Sequence, residues 1–141
     1  MEVLFICRDA LENSMVSNLA VATEMRKSGT DVGVLFTQEA LAALTGQTAD
    51  WSPLLRDRDT RTTIAKGATR LGIPWSAKDP RWTVPGQVLT AAKAAGVSLL
   101  ACPLWTEMLE ARGKLPPEIG YLELPAALQA IREAKVVIGS F

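Results

Sequence analysis

An α/β domain built around one mostly parallel sheet is the architecture this sequence predicts, on three observations. Short apolar runs alternate with longer segments of helical period along the chain, which is the pattern of repeated βα units. The runs at residues 3–7, 31–36 and 97–102 contain little that is polar, as strands covered on both faces do. With 141 residues, 48% of them hydrophobic, the chain supports one core and falls short of two domains of ordinary size.

Residues 3–7, Val-Leu-Phe-Ile-Cys, give the first strand. Asn13 or Ser14 is placed to cap the helix that follows, whose Met15, Leu19, Ala22 and Met25 recur near 3.6 spacing until Gly29 stops it. A second strand over 31–36 ends at Thr37, an N-cap for a helix over 38–44 that Gly46 terminates. A helix over about 60–71 ends at Gly72-Ile73-Pro74. Pro85 suits the first turn of a helix running to Ala95, with Val88, Leu89 and Ala92 inward and Gly96 as the stop. The third strand, 97–102, leads into a helix over 104–112 bracketed by Pro103 and Gly113. Residues 119–124 form a weaker fourth strand, since Glu123 interrupts it. Pro125 and Ala134 bracket a last helix with Leu128 and Ile131 inward, and Val136, Val137 and Ile138 make a fifth strand.

Composition removes whole classes of chemistry. The chain has no histidine, so the Ser-His-Asp constellation, the Cys-His dyad and imidazole metal ligation are closed to it. Two cysteines that form no CxxC pair build neither a four-cysteine zinc site nor a disulfide scaffold. No resident cofactor or metal is expected, and a reduced, cytoplasmic setting is the simplest one. Met1-Glu2 passes straight into the first strand without a basic leader region, and no apolar run approaches membrane-helix length. Fifteen basic residues balance fifteen acidic ones, which makes nucleic acid a poor partner.

One segment, residues 46–84, departs from the regular pattern. From Trp51 to residue 85 there are seven basic residues against three acidic, a local charge of +4 that leaves −4 for the rest, and three of the four tryptophans (Trp51, Trp75, Trp82) fall here. The stretch 74–85 is long for a compact α/β connection. Either it acts as a lid or oligomer contact, or the tryptophans pin an irregular segment to the core while the arginines are solvated.

In open parallel sheets, ligands bind beyond the carboxyl ends of the strands, and both cysteines lie there. Cys102 ends the third strand with Pro103 behind it, which sets its sulfur at a helix start where unpaired N–H groups favour a thiolate. Cys7 ends the first strand and is followed by Arg8, a cation able to support either sulfur or an anion. Against this stands the ordinary role of a free cysteine as a small buried hydrophobe. Sharper motifs fail. A tyrosine-phosphatase loop needs arginine six positions after its cysteine, where this chain has Asn13 and Met108. Neither GxGxxG nor GxxxxGK[ST] occurs, and an anion site over residues 8–14, closed by Ser14, is a weak signal.

The first strand, Ser28-Gly29-Thr30-Asp31-Val32-Gly33-Val34-Leu35-Phe36, Ala95-Gly96-Val97-Ser98-Leu99-Leu100-Ala101-Cys102 and the closing strand over 134–141 together resemble the DsrE/DsrF-like sulfur-relay family, which includes the sulfur-transfer subunits of bacterial tRNA thiolation. The resemblance spans almost the whole chain and implies a single DsrE-like domain over 1–141, a three-layer α/β/α fold with five strands, and a homo-oligomer, commonly a trimer or hexamer. It implies that Cys102, at the position of the family's persulfide-carrying cysteine, passes sulfane sulfur between donor and acceptor proteins. Cys7, Arg8, Pro103 and Trp105 are the supporting residues, with Trp105 and the Trp75–Trp82 stretch gating the sulfur. The alternatives are a non-catalytic module of the same fold that binds a small ligand or partner, and an oligomeric subunit whose partner holds the active cysteine.

Overall fold

The computed structural model describes residues 1–46, 50–73 and 86–139. Strands β1 (Val3–Cys7), β2 (Val32–Phe36), β3 (Ser98–Ala101), β4 (Gly120–Tyr121) and β5 (Val136–Ile138) form one sheet in the order β4-β3-β2-β1-β5. Every neighbouring pair is parallel. The helices are α1 (Glu12–Lys27), α2 (Gln38–Leu44), α3 (Arg58–Arg70), α4 (Gly86–Ala94), α5 (Pro103–Met108) and α6 (Leu124–Glu133). With helices on both faces of the sheet, the fold is the three-layer α/β/α sandwich that the alternating pattern and the resemblance imply.

The sealed side of the sheet is the one that α1 and α4 cover. α1 packs on β1, β2 and α4, and its Met15, Leu19 and Ala22 are fully buried with Phe5, Phe36, Val88 and Leu89. Each such large side chain removed from water contributes roughly 1.5–3 kcal/mol. Gly29 and Gly96 follow α1 and α4 at φ +98° and +91°, a left-handed geometry in which a side chain costs energy.

Several local expectations are corrected. Neither Asn13 nor Ser14 caps α1. The helix begins at Glu12, with Leu11 at the N-cap and no side-chain cap; the Glu12 N–H goes to the Asp50 carbonyl at 2.8 Å, while Asp9 accepts from the Leu11 N–H at 3.0 Å and from the Ser14 hydroxyl at 3.1 Å. Thr37 does stand at the N-cap of α2, but without a side-chain bond. α5 stops at Met108, short of 112, because Glu110 enters the left-handed region at φ 49° while the Ala111 N–H closes onto the Thr106 carbonyl at 2.8 Å. α3 starts at Arg58, where Asp57 accepts from the Thr60 N–H at 2.9 Å.

The largest correction concerns α6. Leu128 and Ile131, expected inward, are 54% and 38% exposed, and Ala127 is the buried residue of that helix. Val136 and Val137 of the edge strand β5 are 50% and 44% exposed. Successive strand residues point to opposite faces, so β5 exposes a valine on each, while Ile138 packs partly against the core.

Candidate functional site

The strand registers line up Cys7, Phe36, Ala101 and Tyr121 across the carboxyl end of the sheet. One residue further, Arg8, Thr37 and Cys102 form the crest above them. The crest is held by backbone bonds: Thr37 N–H to the Cys7 carbonyl at 3.0 Å, Cys102 N–H to the Phe36 carbonyl at 2.9 Å, and Ala40 N–H to the Arg8 carbonyl at 2.9 Å. Both cysteines are free. With β2 between their strands they stand about 10 Å apart at ~4.8 Å per strand, beyond the reach of a disulfide without backbone movement.

The two sulfurs occupy opposite environments. Cys7 is fully buried, and its neighbour is Asn18 of α1, whose amide donates to Sγ at 3.6 Å and to the Ser14 carbonyl at 3.0 Å. Burial, with the charge of Asp9 in addition, pushes the Cys7 thiol up to about 12 against the opposing Asn18 hydrogen bond. A thiol in that setting neither ionises nor meets reagents near neutral pH.

Cys102 is half-buried. β3 ends at Ala101, and Cys102 keeps extended backbone (φ −63°, ψ 123°) as the N-cap residue of α5, with Pro103 at the first helical position. Proline fits there because its missing N–H is one the helix leaves unpaired in any case. Pro103 is buried, and Trp105 is half-buried against the hydrophobic core, so the turn that presents the sulfur is pinned from beneath. Glu107, the nearest acid along α5, is held by Arg112 at 2.8 Å, and Arg112 also reaches Glu123 at 3.4 Å. Arg8 is exposed, and its guanidinium pairs with no acid among the described residues.

Other expected features resolve differently. The weak anion site over residues 8–14 has its donors engaged: Leu11 N–H and the Ser14 hydroxyl go to Asp9, and Glu12 N–H goes to the Asp50 carbonyl at 2.8 Å. Trp51 is 3% exposed and lies against α1 and α3, which matches the pinning role proposed for the tryptophans. Trp75, Trp82, Pro85 and the gating stretch between them lie outside the described residues, as does the end of the closing segment at 140–141. Among the described residues no group of three His, Cys, Asp or Glu could hold a metal ion, and no helix is long and apolar enough to cross a membrane.

Sequence reasoning missed three residues around the crest. Asn18 is completely buried beside Cys7, and the signal for it was a polar residue between Met15 and Ala22 on the inward stripe of α1. Gln38 adopts φ 54° where β2 turns into α2, which no motif foretells. Thr106 is 2% exposed, and its N–H bonds the Cys102 carbonyl at 2.8 Å, which sets it over the turn that begins at Cys102.

No protein-family model matches the chain, and no curated protein matches it either. Among solved structures, the crystal structure of the YchN protein from E. coli is similar, with a TM-score of 0.63, 16% identity, and coverage of 99% of this chain and 98% of that one. At that identity the likeness carries the fold alone, a three-layer α/β/α arrangement around a parallel five-stranded sheet.

Proposed function

We propose that this protein is a sulfur carrier in which Cys102 holds sulfane sulfur as a persulfide and hands it to a partner cysteine. The observation that supports this reading is the asymmetry between the two thiols. One is sealed and held neutral, and the other stands half-open at the carboxyl end of the sheet, where open α/β sheets place their chemistry. The step is thiol exchange. The Cys102 thiolate attacks the outer sulfur of a donor persulfide, R–S–SH; the S–S bond breaks, R–S⁻ leaves, and Cys102–S–SH carries the sulfur and its proton. Attack by an acceptor thiolate on that outer sulfur regenerates the Cys102 thiolate. No external oxidant enters, because the two electrons that reduce the donor sulfur come from Cys102, and no resident cofactor is required. Donor and acceptor are proteins or small thiols, and a reducing, cytoplasmic setting suits two free cysteines.

The same reading includes self-assembly, with a trimer or hexamer as the expected form. Leu124, Leu128 and Ile131 of α6, Leu104 and Met108 of α5, and Val136 and Val137 of β5 are exposed. The cleft of about 570 Å³ on α6 joins Leu128 to Arg132 and Glu133. Exposed apolar side chains with both charge signs beside them suit an interface with further copies of the chain, an apolar centre with a polar rim.

The test incubates the protein with inorganic polysulfide, removes the excess, and adds glutathione. Wild-type protein is expected to deliver cyanolysable sulfur to glutathione, while Cys102→Ser delivers only background. Equal delivery by the variant would favour the alternative of a non-catalytic, oligomeric binding subunit, to which the exposed apolar face is also suited.

A further inference from the structure

Threonine inside a helix ordinarily donates its hydroxyl to the carbonyl four residues back. Thr23, Thr62, Thr63, Thr69 and Thr90 all do so here, at 2.7 to 3.0 Å. Thr106 does not. Its backbone N–H makes the regular bond to the Cys102 carbonyl at 2.8 Å, but its Oγ1 is buried and has no hydrogen-bond partner. The residue as a whole is 2% exposed. Leaving a buried hydroxyl unpaired is costly, and Thr23, the buried member of that group, avoids the cost through its bond to the Leu19 carbonyl. Helical side chains lean toward the N-terminus, and the Thr106 N–H is bonded to the Cys102 carbonyl, so Thr106 leans over the turn that begins at Cys102.

We infer that the Thr106 hydroxyl is a hydrogen-bond donor kept for the sulfur carried by Cys102. This rests on the sulfur-carrier reading and names the group that stabilises its loaded state. A persulfide sets the outer sulfur about 2 Å beyond Sγ, at an ordinary S–S length. That sulfur is anionic once its proton is lost, and hydrogen bonds to charged acceptors are roughly twice as strong as neutral ones. The free thiol gives Thr106 no such acceptor. Thr106 is therefore satisfied in the loaded protein and unsatisfied in the empty one, which biases the site toward holding sulfur.

The experiment compares wild type, Thr106→Val and Thr106→Ser after exposure to inorganic polysulfide, with the fraction of Cys102 persulfide read by peptide mass spectrometry and its decay followed in buffer. Valine keeps the shape and removes the hydroxyl; serine keeps the hydroxyl. Thr106→Val is expected to hold about tenfold less persulfide than wild type, the lower end for a lost bond to a charged group, while unfolding at the same or a higher denaturant concentration. Thr106→Ser is expected to stay within about twofold of wild type on the same hydrogen-bond argument. A merely structural role predicts changes in unfolding midpoint with persulfide retention unmoved, and that outcome overturns the inference. Wild type that loads while Thr106→Val loads and decays identically overturns it with the carrier reading intact. Wild type that takes up no sulfur at Cys102 overturns the carrier reading and this inference together.

Discussion

Replacing Cys7 by alanine should change how stability depends on alkaline pH, and the direction follows from burial. In the folded protein the thiol is fully buried and pushed up to about 12, from an ordinary value of 9.0 in the unfolded chain. Below pH 9 both states keep the proton and the preference for the neutral form is fully expressed. Between pH 9 and 12 the unfolded chain releases a proton that the folded chain retains, so stability falls as pH rises, by about 1.4 kcal/mol per unit. Alanine removes this dependence and leaves a small hole, so the variant starts about 1 kcal/mol below wild type near neutrality. The two stabilities should then cross between about pH 9.5 and 10, since a single group of this kind has cost wild type about 1.4 kcal/mol by pH 10. Urea unfolding at pH 8, 9.5 and 10.5 reads this directly, and Tyr121 and the lysines cancel because both proteins carry them. The same three-unit difference leaves Cys7 with ~1,000-fold less thiolate than an unfolded cysteine at pH 8, so iodoacetamide should label it only after denaturation. Parallel stability curves, or rapid labelling of Cys7 in folded protein, would refute the reasoning.

Phe36 is fully buried on the central strand, and Phe36→Ala should cost about 3–5 kcal/mol in chemical unfolding; a loss under about 1 kcal/mol would mean the core is not centred on β2. Gly96→Ala forces a side chain into φ +91° with its Cβ 3.1 Å from the Arg26 guanidinium, for a loss of about 1–2 kcal/mol; an unchanged midpoint would mean the turn after α4 relaxes freely. Leu128→Glu should reduce the solution mass by light scattering to that of a monomer and leave monomer stability within about 0.5 kcal/mol. An undiminished oligomer mass would remove α6 from the interface.

How far the sequence carries depends on which partner each residue meets. Strands β1 and β5 matched their expected spans because a short apolar, β-branched-rich run is a local pattern, whether it ends up buried, as β1 is, or exposed, as β5 is. Glycines placed Gly29, Gly46 and Gly96 just past three helices for the same reason. The fourth strand shrank to Gly120–Tyr121, since an edge strand is trimmed by what pairs with it. Leu128 and Ile131 show the limit plainly. Their period is helical and apolar, but a period cannot say whether the covering surface is this chain or another molecule, and here this chain leaves them bare. At the site, the placement of both cysteines at the carboxyl ends of their strands was legible, whereas the strand order that sets β2 between them was not. Nor was the difference between the two thiols, because Cys7 is sealed by α1 through Asn18, a contact set by how the helix lies on the sheet. The start of α1 was equally hidden, because its first N–H, that of Glu12, is satisfied by the Asp50 carbonyl, a contact between distant parts of the chain, rather than by Asn13 or Ser14.

The most direct measurement is the peptide mass of each cysteine after brief treatment of the folded protein with a persulfide donor. One added sulfur, about 32 Da, on the peptide bearing Cys102 and none on that bearing Cys7 is the predicted result. An unmodified Cys102, or equal modification of both cysteines, would contradict the account.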